Sequence, residues 1–314
     1  MADDARDLAL VASCLARLTH PERIIDPHSG LRKLDLARYY AKVAPLLLKH
    51  LRGRPVAFVR APAGIAGGTF FQRHPGGHAM PGVNPLPQHL YPGHPPLMEV
   101  ATLEGIMACV QMNVVEFHTW NASKPAIGRP DRMVLDLDPG QGVRWAQVCL
   151  AADMVRAFLA EFGLKSWLKT SGGRGLHIIV PLIDQYGLDV VSILSRGMAR
   201  RLAWTAPGVF VARRGDRHRV GRVFADYLRN GLGATTVAAW SARARPGLGI
   251  SVPVAWDEVS GLGQGDRWSV ANVDRRLNVA DIPWRQYAPQ SLDKALEAFG
   301  PALPQSASRM MMKP

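Results

Sequence analysis

Met133-Val134-Leu135-Asp136-Leu137-Asp138-Pro139-Gly140 reads as a buried strand, an apolar run broken near its end by a carboxylate at every second position. Side chains alternate faces along a strand, so Asp136 and Asp138 point the same way. Two carboxylates on one face repel each other unless a cation lies between them. Paired oxygen ligands suit Mg²⁺ or Mn²⁺, shared with substrate phosphates. The strand therefore points to metal-assisted phosphate chemistry. Taken alone, it is equally a strand end whose aspartates face solvent or cap the next helix.

Working outward, residues 143–161 and 187–204 read as helices. Ser166–Thr170 and Leu176–Pro181 read as strands around a glycine-rich turn. Arg222–Leu228 reads as a further strand, after a loop-like 207–222 that holds Arg213, Arg214, Arg217, Arg219 and Arg222. On the N-terminal side, 34–51 has helical periodicity with Pro45 inside it. Strands are expected at Pro55–Arg60, Thr69–Arg73 and 113–118, with a helix at 101–111. Residues 75–98 are rich in Pro, Gly and His; apolar segments flank them closely, which favours an ordered loop over a linker. Short helices are expected after Trp256. The segment before about residue 17 reads as an extension, and 301–314 as a disordered tail. Helices interspersed with strands and hairpin-like pairs predict an α+β fold, with mixed or antiparallel central sheets flanked by helices in one domain over residues 1–300.

The balance of charge narrows the partners. Lys plus Arg number 38 against 25 Asp plus Glu, a net +13, which favours a polyanion such as nucleic acid over a merely basic surface. Cys14, Cys109 and Cys149 are scattered and no CxxC occurs, so neither a disulfide framework nor a zinc ribbon is expected. That usage fits a reducing cytoplasm. The N-terminus carries acids where a secretory signal carries Lys or Arg, and no apolar run reaches the length of a membrane span.

Further segments carry chemistry. In Lys169-Thr170-Ser171-Gly172-Gly173-Arg174-Gly175-Leu176-His177, glycines let backbone amides approach an anion, Ser171 adds a hydroxyl, and Arg174 and His177 add donors. The Gly-Lys-Ser/Thr ending of a Walker A loop is missing, and an ordinary glycine hairpin has the same composition. Val223-Phe224-Ala225-Asp226 places a carboxylate in another apolar strand, costly unless paired or metal-bound. Asp226 completes a three-carboxylate set, with Arg229 and Asn230 within reach of phosphate or sugar. The segment 233–247 ends in Arg243 and Arg245, spaced for one face of an extended strand and suited to phosphate oxygens. His118 closes Glu116-Phe117-His118-Thr119-Trp120. Of the adjacent Phe70 and Phe71, one ring is expected in the core and one free to stack on a base. His20, Arg23 and Lys33 lie close in sequence and suit a phosphate pocket, or else are scattered surface charge.

LDLDPG, TSGGRGLH and VFADYLRNGLGATTVAAWSARARPG, in that order, resemble the polymerase domain of bacterial ligase D, of the archaeo-eukaryotic primase superfamily. The resemblance runs from about Leu18 to about Asn278. It implies a primase-like catalytic core and a template-dependent polymerase that adds nucleotides, with a preference for ribonucleotides, at DNA ends and gaps during non-homologous end joining. Asp136, Asp138 and Asp226 match its metal-binding carboxylates, which implies two Mn²⁺ or Mg²⁺ ions. His118, Ser171, Gly172, Gly173, Arg174, His177, Arg229 and Arg243 match the nucleotide-binding segments, and Phe70 and Phe71 the aromatic pair near the bases. His20, Arg23 and Lys33 fall where the downstream 5′-phosphate is captured. Implied partners are gapped duplex with a 5′-phosphate, NTP or dNTP, Ku and a ligase module, in a bacterial cytoplasm at the nucleoid. Many relatives carry Lys in place of Arg174 and some carry Gln in place of Arg229. No Lys-x-Asp-Gly adenylation motif occurs, so ligase chemistry is not expected of this sequence. A primase that starts chains de novo and a non-catalytic end-binding module are the alternatives. The first strand is also similar to that of haloacid-dehalogenase-type phosphatases, but those continue with Gly-Thr where this chain has Pro139-Gly140.

Overall fold

The computed structural model describes residues 2–77, 79–280 and 282–300. In chain order the strands are β1 (Ile24–Asp26), β2 (Leu31–Arg32), β3 (Val56–Arg60), β4 (Phe70–Gln72), β5 (Val83–Pro85), β6 (Met98–Val100), β7 (Val114–Thr119), β8 (Arg132–Pro139), β9 (Trp167–Thr170), β10 (Leu176–Pro181), β11 (Phe210–Val211), β12 (Val223–Asp226), β13 (Thr236–Val237) and β14 (Pro253–Val254). The longer helices are α1 (Ala2–Ala16), α2 (Lys33–Leu51), α3 (Leu103–Gln111), α4 (Trp145–Glu161) and α5 (Leu188–Thr205). The chain is drawn into two compact units. One holds the described residues of Met1–Trp120, Thr236–Val252 and Trp268–Ala280; the other holds those of Asn121–Thr235, Pro253–Arg267 and Asp281–Pro314. Both are discontinuous in sequence, and the single domain over 1–300 stands as a proposal. The tail from Pro301 lies outside the described residues.

The first unit is built on a sheet ordered β13-β7-β3-β6-β5, with β4 also paired to β3. Helix α2 buries Leu36, Tyr40, Val43, Leu47 and Leu51, a stripe at helical spacing, against this sheet and α3. Tyr40 meets Phe117 edge-on at 5.1 Å, and Phe117 meets Phe58 at 5.7 Å. Each such ring contributes on the order of 2–3 kcal/mol by leaving water. The Tyr40 hydroxyl donates to the Val115 carbonyl and accepts from the Ala242 amide, which fastens the returning segment 236–252 to the core. The N-terminal extension is a helix, α1, packed on α2 and α3. Within 75–98, β5 pairs with β6, consistent with an ordered loop.

The second unit is built on a sheet ordered β11-β12-β8-β10-β9-β14. Every pair is antiparallel except β11 with β12, so the sheet is mixed, as the pattern predicts. The eight-residue β8 is flanked by β10 and β12. Helix α4 packs on β8 and β10, and α5 on β8 and β12. Strand β11 lies inside the segment read as a loop; two residues are too short to carry a period. No helix among the described residues is long and apolar enough to cross a membrane.

Candidate active site

Strand β8 sets the aspartates found in the sequence opposite residues of its two neighbours. Asp136 lies directly opposite Asp226 on β12 and opposite His177 on β10, while His177 lies opposite Lys169 on β9. Directly opposed residues share a face, so Lys169, His177, Asp136 and Asp226 form a row across four strands, with Asp138 two residues along from Asp136. Lys169, His177, Asp136 and Asp226 are all buried. Arg229 follows on the turn Leu228–Asn230, and its Nε lies 3.2 Å from Asp136 Oδ2 and 3.3 Å from Asp226 Oδ2. Asp138 pairs instead with Arg219, which also holds Asp216. Burial, reinforced by Asp226 and Asp138, pushes the Asp136 carboxyl up to about 6 against the opposing charges of Arg229 and Lys169. Burial likewise raises Asp226, with Arg229 and the Leu228 amide pulling the other way.

Lys169 escaped the sequence reading, although it stands at the head of the glycine motif. Its Nζ lies 2.9 Å from His177 Nδ1, and His177 Nε2 lies 3.5 Å from Asp136 Oδ1. An ammonium has donors only, so Nδ1 accepts and the ring proton sits on Nε2, turned toward Asp136. The signal was alternation: Lys169 is in register with a residue already suspected. Asn230 departs from expectation. Its side chain turns into the sheet, where it donates to the Val134 carbonyl and accepts from the Val134 amide and from Asn121. It extends the β12 ladder and fixes the turn that carries Arg229.

The glycine turn is held from within. Ser171 Oγ accepts from the amides of Gly173 and Gly175 at 3.2 and 3.1 Å. Gly172 has φ +67°, and a Cβ on Gly175 would stand 2.1 Å from the Leu137 carbonyl oxygen, so neither position tolerates a larger residue. Arg174 reaches across to donate to the Gly140 carbonyl at 2.9 Å.

In the first unit, Glu116, His118 and Arg243 form a second cluster. Glu116 Oε2 lies 2.6 Å from His118 Nε2 and accepts from Arg243 Nε at 2.9 Å; Oε1 accepts from the Ala244 amide at 2.7 Å. Burial alone would raise this carboxyl, but the His118 hydrogen bond, the Arg243 charge and the amide outweigh it and hold it down to about 2. Glu116 was quoted but not singled out; the signal was again period two, since it shares a face of β7 with His118. Arg243 and Arg245 do not sit on an extended segment: the Arg245 and Leu248 amides bond back to the Arg243 and Arg245 carbonyls in a turn.

The expected division of Phe70 and Phe71 fails. Both rings are exposed, at 46% and 40%, because β4 is a short strand on the sheet's edge region. Arg60 lies over Phe70 and Arg73 over Phe71, and Phe71 meets His118 edge-on at 5.4 Å. His20, Arg23 and Lys33 are brought together, with the Lys33 amide on the Arg23 carbonyl and the Arg23 amide on the His20 carbonyl. The Lys33 ammonium donates to the carbonyls of Thr19 and Gln111. Burial, with the Arg23 charge, lowers it to about 8.

The three aspartates supply hard oxygen donors of the kind Mg²⁺ and Mn²⁺ take. Among the described residues, no three His, Cys, Asp or Glu side chains already converge as a metal cage. The carboxylates that would hold an ion are engaged by Arg229 and Arg219. Burial, with Asp226 and Asp138 beside it, raises the Asp136 carboxyl, and a divalent ion would offset both, so the donors fit divalent ions.

The chain is similar to known proteins over most of its length. A family model described as the LigD primase-polymerase domain matches residues 32–284. The multifunctional non-homologous end joining protein LigD of Pseudomonas aeruginosa is 45% identical over 279 residues, covering 88% of this chain and 33% of that protein. The protein of the same name from Mycolicibacterium smegmatis is 32% identical, over 78% of this chain and 32% of its own length. The chain thus spans about a third of these relatives. The polymerase domain from Mycobacterium tuberculosis ligase D, solved in complex with DNA, superposes with a TM-score of 0.74 at 29% identity, covering 83% of this chain and 93% of that one. With a mixed sheet bearing three carboxylates and a glycine turn, and with the family model matching residues 32–284, the chain belongs to the LigD primase-polymerase domain family.

Proposed function

We propose that this chain is a template-dependent nucleotidyltransferase that adds nucleotides, ribonucleotides in preference, at DNA ends and gaps in non-homologous end joining. The observation that carries the reading is the row Lys169–His177–Asp136–Asp226 with Asp138 on the same face, beside a glycine turn on the same sheet. Asp136, Asp138 and Asp226 would hold two Mn²⁺ or Mg²⁺ ions. When bound, these lower the pKa of the primer 3′-hydroxyl and neutralise charge on the leaving pyrophosphate.

This chain's own residues do the rest. The Ser171–Gly175 turn, closed on itself through Ser171 Oγ, leaves the Gly172 and Arg174 amides for triphosphate oxygens. His177, with its proton fixed on Nε2 by Lys169, donates toward the phosphate or the carboxylate beside it. His118 and Arg243, oriented by Glu116, bind phosphate oxygens, and Arg229 moves from carboxylate to phosphate as charge accumulates. Phe70 and Phe71 offer ring faces to bases. His20, Arg23 and Lys33 receive the downstream 5′-phosphate. Net charge of +13 makes DNA affinity fall steeply with salt. Ku and a ligase module are the proposed partners, at the bacterial nucleoid.

The test is addition of one labelled nucleotide to a gapped, 5′-phosphorylated duplex with Mn²⁺. Product on this substrate supports the polymerase reading. Product on an unprimed template supports a primase instead, and DNA binding without any product supports an end-binding module.

A further inference from the structure

Beyond the carboxylates, the second unit has a cavity of about 570 Å³ between the end of α5, β11 and the turn that follows. Arg200, Trp204, Arg213, Arg214, Arg222 and Tyr227 are on its wall. Arg200 and Trp204 are one helical turn apart and so lie on one face of α5. Trp204 is 83% exposed, which an indole escapes in most folds by packing. Arg200, Arg213 and Arg214 are also exposed, and neither Arg200 nor Arg213 has a carboxylate partner among the described residues. Arg222 is different: it donates to the carbonyls of Pro207 and His218 and ties the turn together.

We propose that this cavity binds an unpaired nucleotide of single-stranded DNA, with its base stacked on Trp204 and its phosphates on Arg200, Arg213 and Arg214. Base stacking on an exposed indole needs an unpaired base, because both faces of a base inside a duplex are already covered. Guanidiniums around the ring match the adjoining phosphates. The cavity wall also meets the end of β12, the strand that carries Asp226. Tyr227 on its wall follows Asp226, β11 runs parallel to β12, and Arg214 is close enough for its charge to act on Asp226. An acidic peptide fits less well, since β11 has only two residues to offer an added strand. The inference rests on the polymerase reading, to which it adds a subsite for the single-stranded part of a broken end.

Fluorescence anisotropy with a labelled blunt duplex and the same duplex bearing a single-stranded oligo-dT overhang tests it. The wild type should favour the overhang. Trp204→Ala should weaken overhang binding about tenfold while leaving the blunt duplex within about twofold, since one base stack is worth about that much. Trp204→Phe should restore most of the preference, and Arg200→Ala with Arg213→Ala should lose it with a smaller salt dependence. At 83% exposure the ring is not needed for folding. Equal losses on both duplexes, no loss, or equal competition by poly-glutamate in wild type and Trp204→Ala would overturn the proposal. Nucleotide addition on a gapped duplex, assayed in parallel, separates the two readings. Its absence in the wild type removes the polymerase and leaves the overhang measurement standing.

Discussion

Asp136 and Asp226 stand directly opposite each other on neighbouring antiparallel strands, and the single guanidinium of Arg229 forms an ion pair with both. Like charges so placed destabilise a strand pair by roughly 0.2–1 kcal/mol, and here the pair is buried as well. The fold accepts that cost at a point where divalent cations would relieve it.

Asp226→Asn removes the repulsion and keeps an acceptor for the Leu228 amide, which now bonds Oδ1 at 2.8 Å. The variant should lose nucleotide addition yet melt about 1–3 °C higher than the wild type without metal. Differential scanning calorimetry in EDTA checks the second half. A lower melting temperature would show that the carboxylate is held for structure.

Lys169→Met deletes the donor that sets the His177 tautomer while keeping the volume of the side chain. The turnover number should fall at least tenfold, DNA affinity should hold, and the pH profile of addition should shift because His177 is free to reverse its proton. A merely structural lysine would lower stability and leave that profile unmoved.

Glu116→Gln keeps the shape but removes the charge that pairs with Arg243. The KM for nucleotide should rise about tenfold with a smaller change in the turnover number, because the residue orients ligands for phosphate and touches no reacting atom. Steady-state kinetics with NTP resolves the two constants, and an unchanged KM would remove Glu116 from the account.

Lys33 gives a pH dependence with a definite sign. Its amine is held near 8 in the fold, against 10.5 for the ordinary side chain. Between those values the folded state binds fewer protons than the unfolded one, so this group makes stability rise with pH across the interval. A bound 5′-phosphate favours the charged amine. The preference for phosphorylated over unphosphorylated gaps should therefore be full below about pH 8 and shrink above it. A ratio of dissociation constants that stays flat from roughly pH 7 to 9.5 would exclude Lys33 from the pocket.

Much of this was legible in the sequence because alternation along a strand is local. Asp136, Asp138 and Asp226 declare their face from their own neighbours, and Leu176–Pro181 matches its expected strand to the residue. What was not legible depends on pairing between strands. Lys169 and Glu116 acquire their roles from residues opposite or beside them in the sheets, and Asn230 reads as a phosphate or sugar contact until β8 is laid against its turn. Phe70 and Phe71 were misjudged because composition does not reveal that β4 is a three-residue strand with little to cover it. The turn at Arg243–Leu248 is announced by Pro246-Gly247, with Gly247 at φ +88°, and was missed because Arg243 and Arg245 were read by strand alternation alone.

The most direct measurement compares wild type with an Asp136→Asn, Asp138→Asn double variant for single-nucleotide addition to a gapped, 5′-phosphorylated duplex in Mn²⁺, with DNA affinity measured on the same samples. The account predicts addition by the wild type, a loss of about a thousandfold or more in the variant, and DNA affinity within about twofold, since phosphate contacts and not the carboxylates hold the backbone. A double variant that still extends the primer at a comparable rate would contradict it.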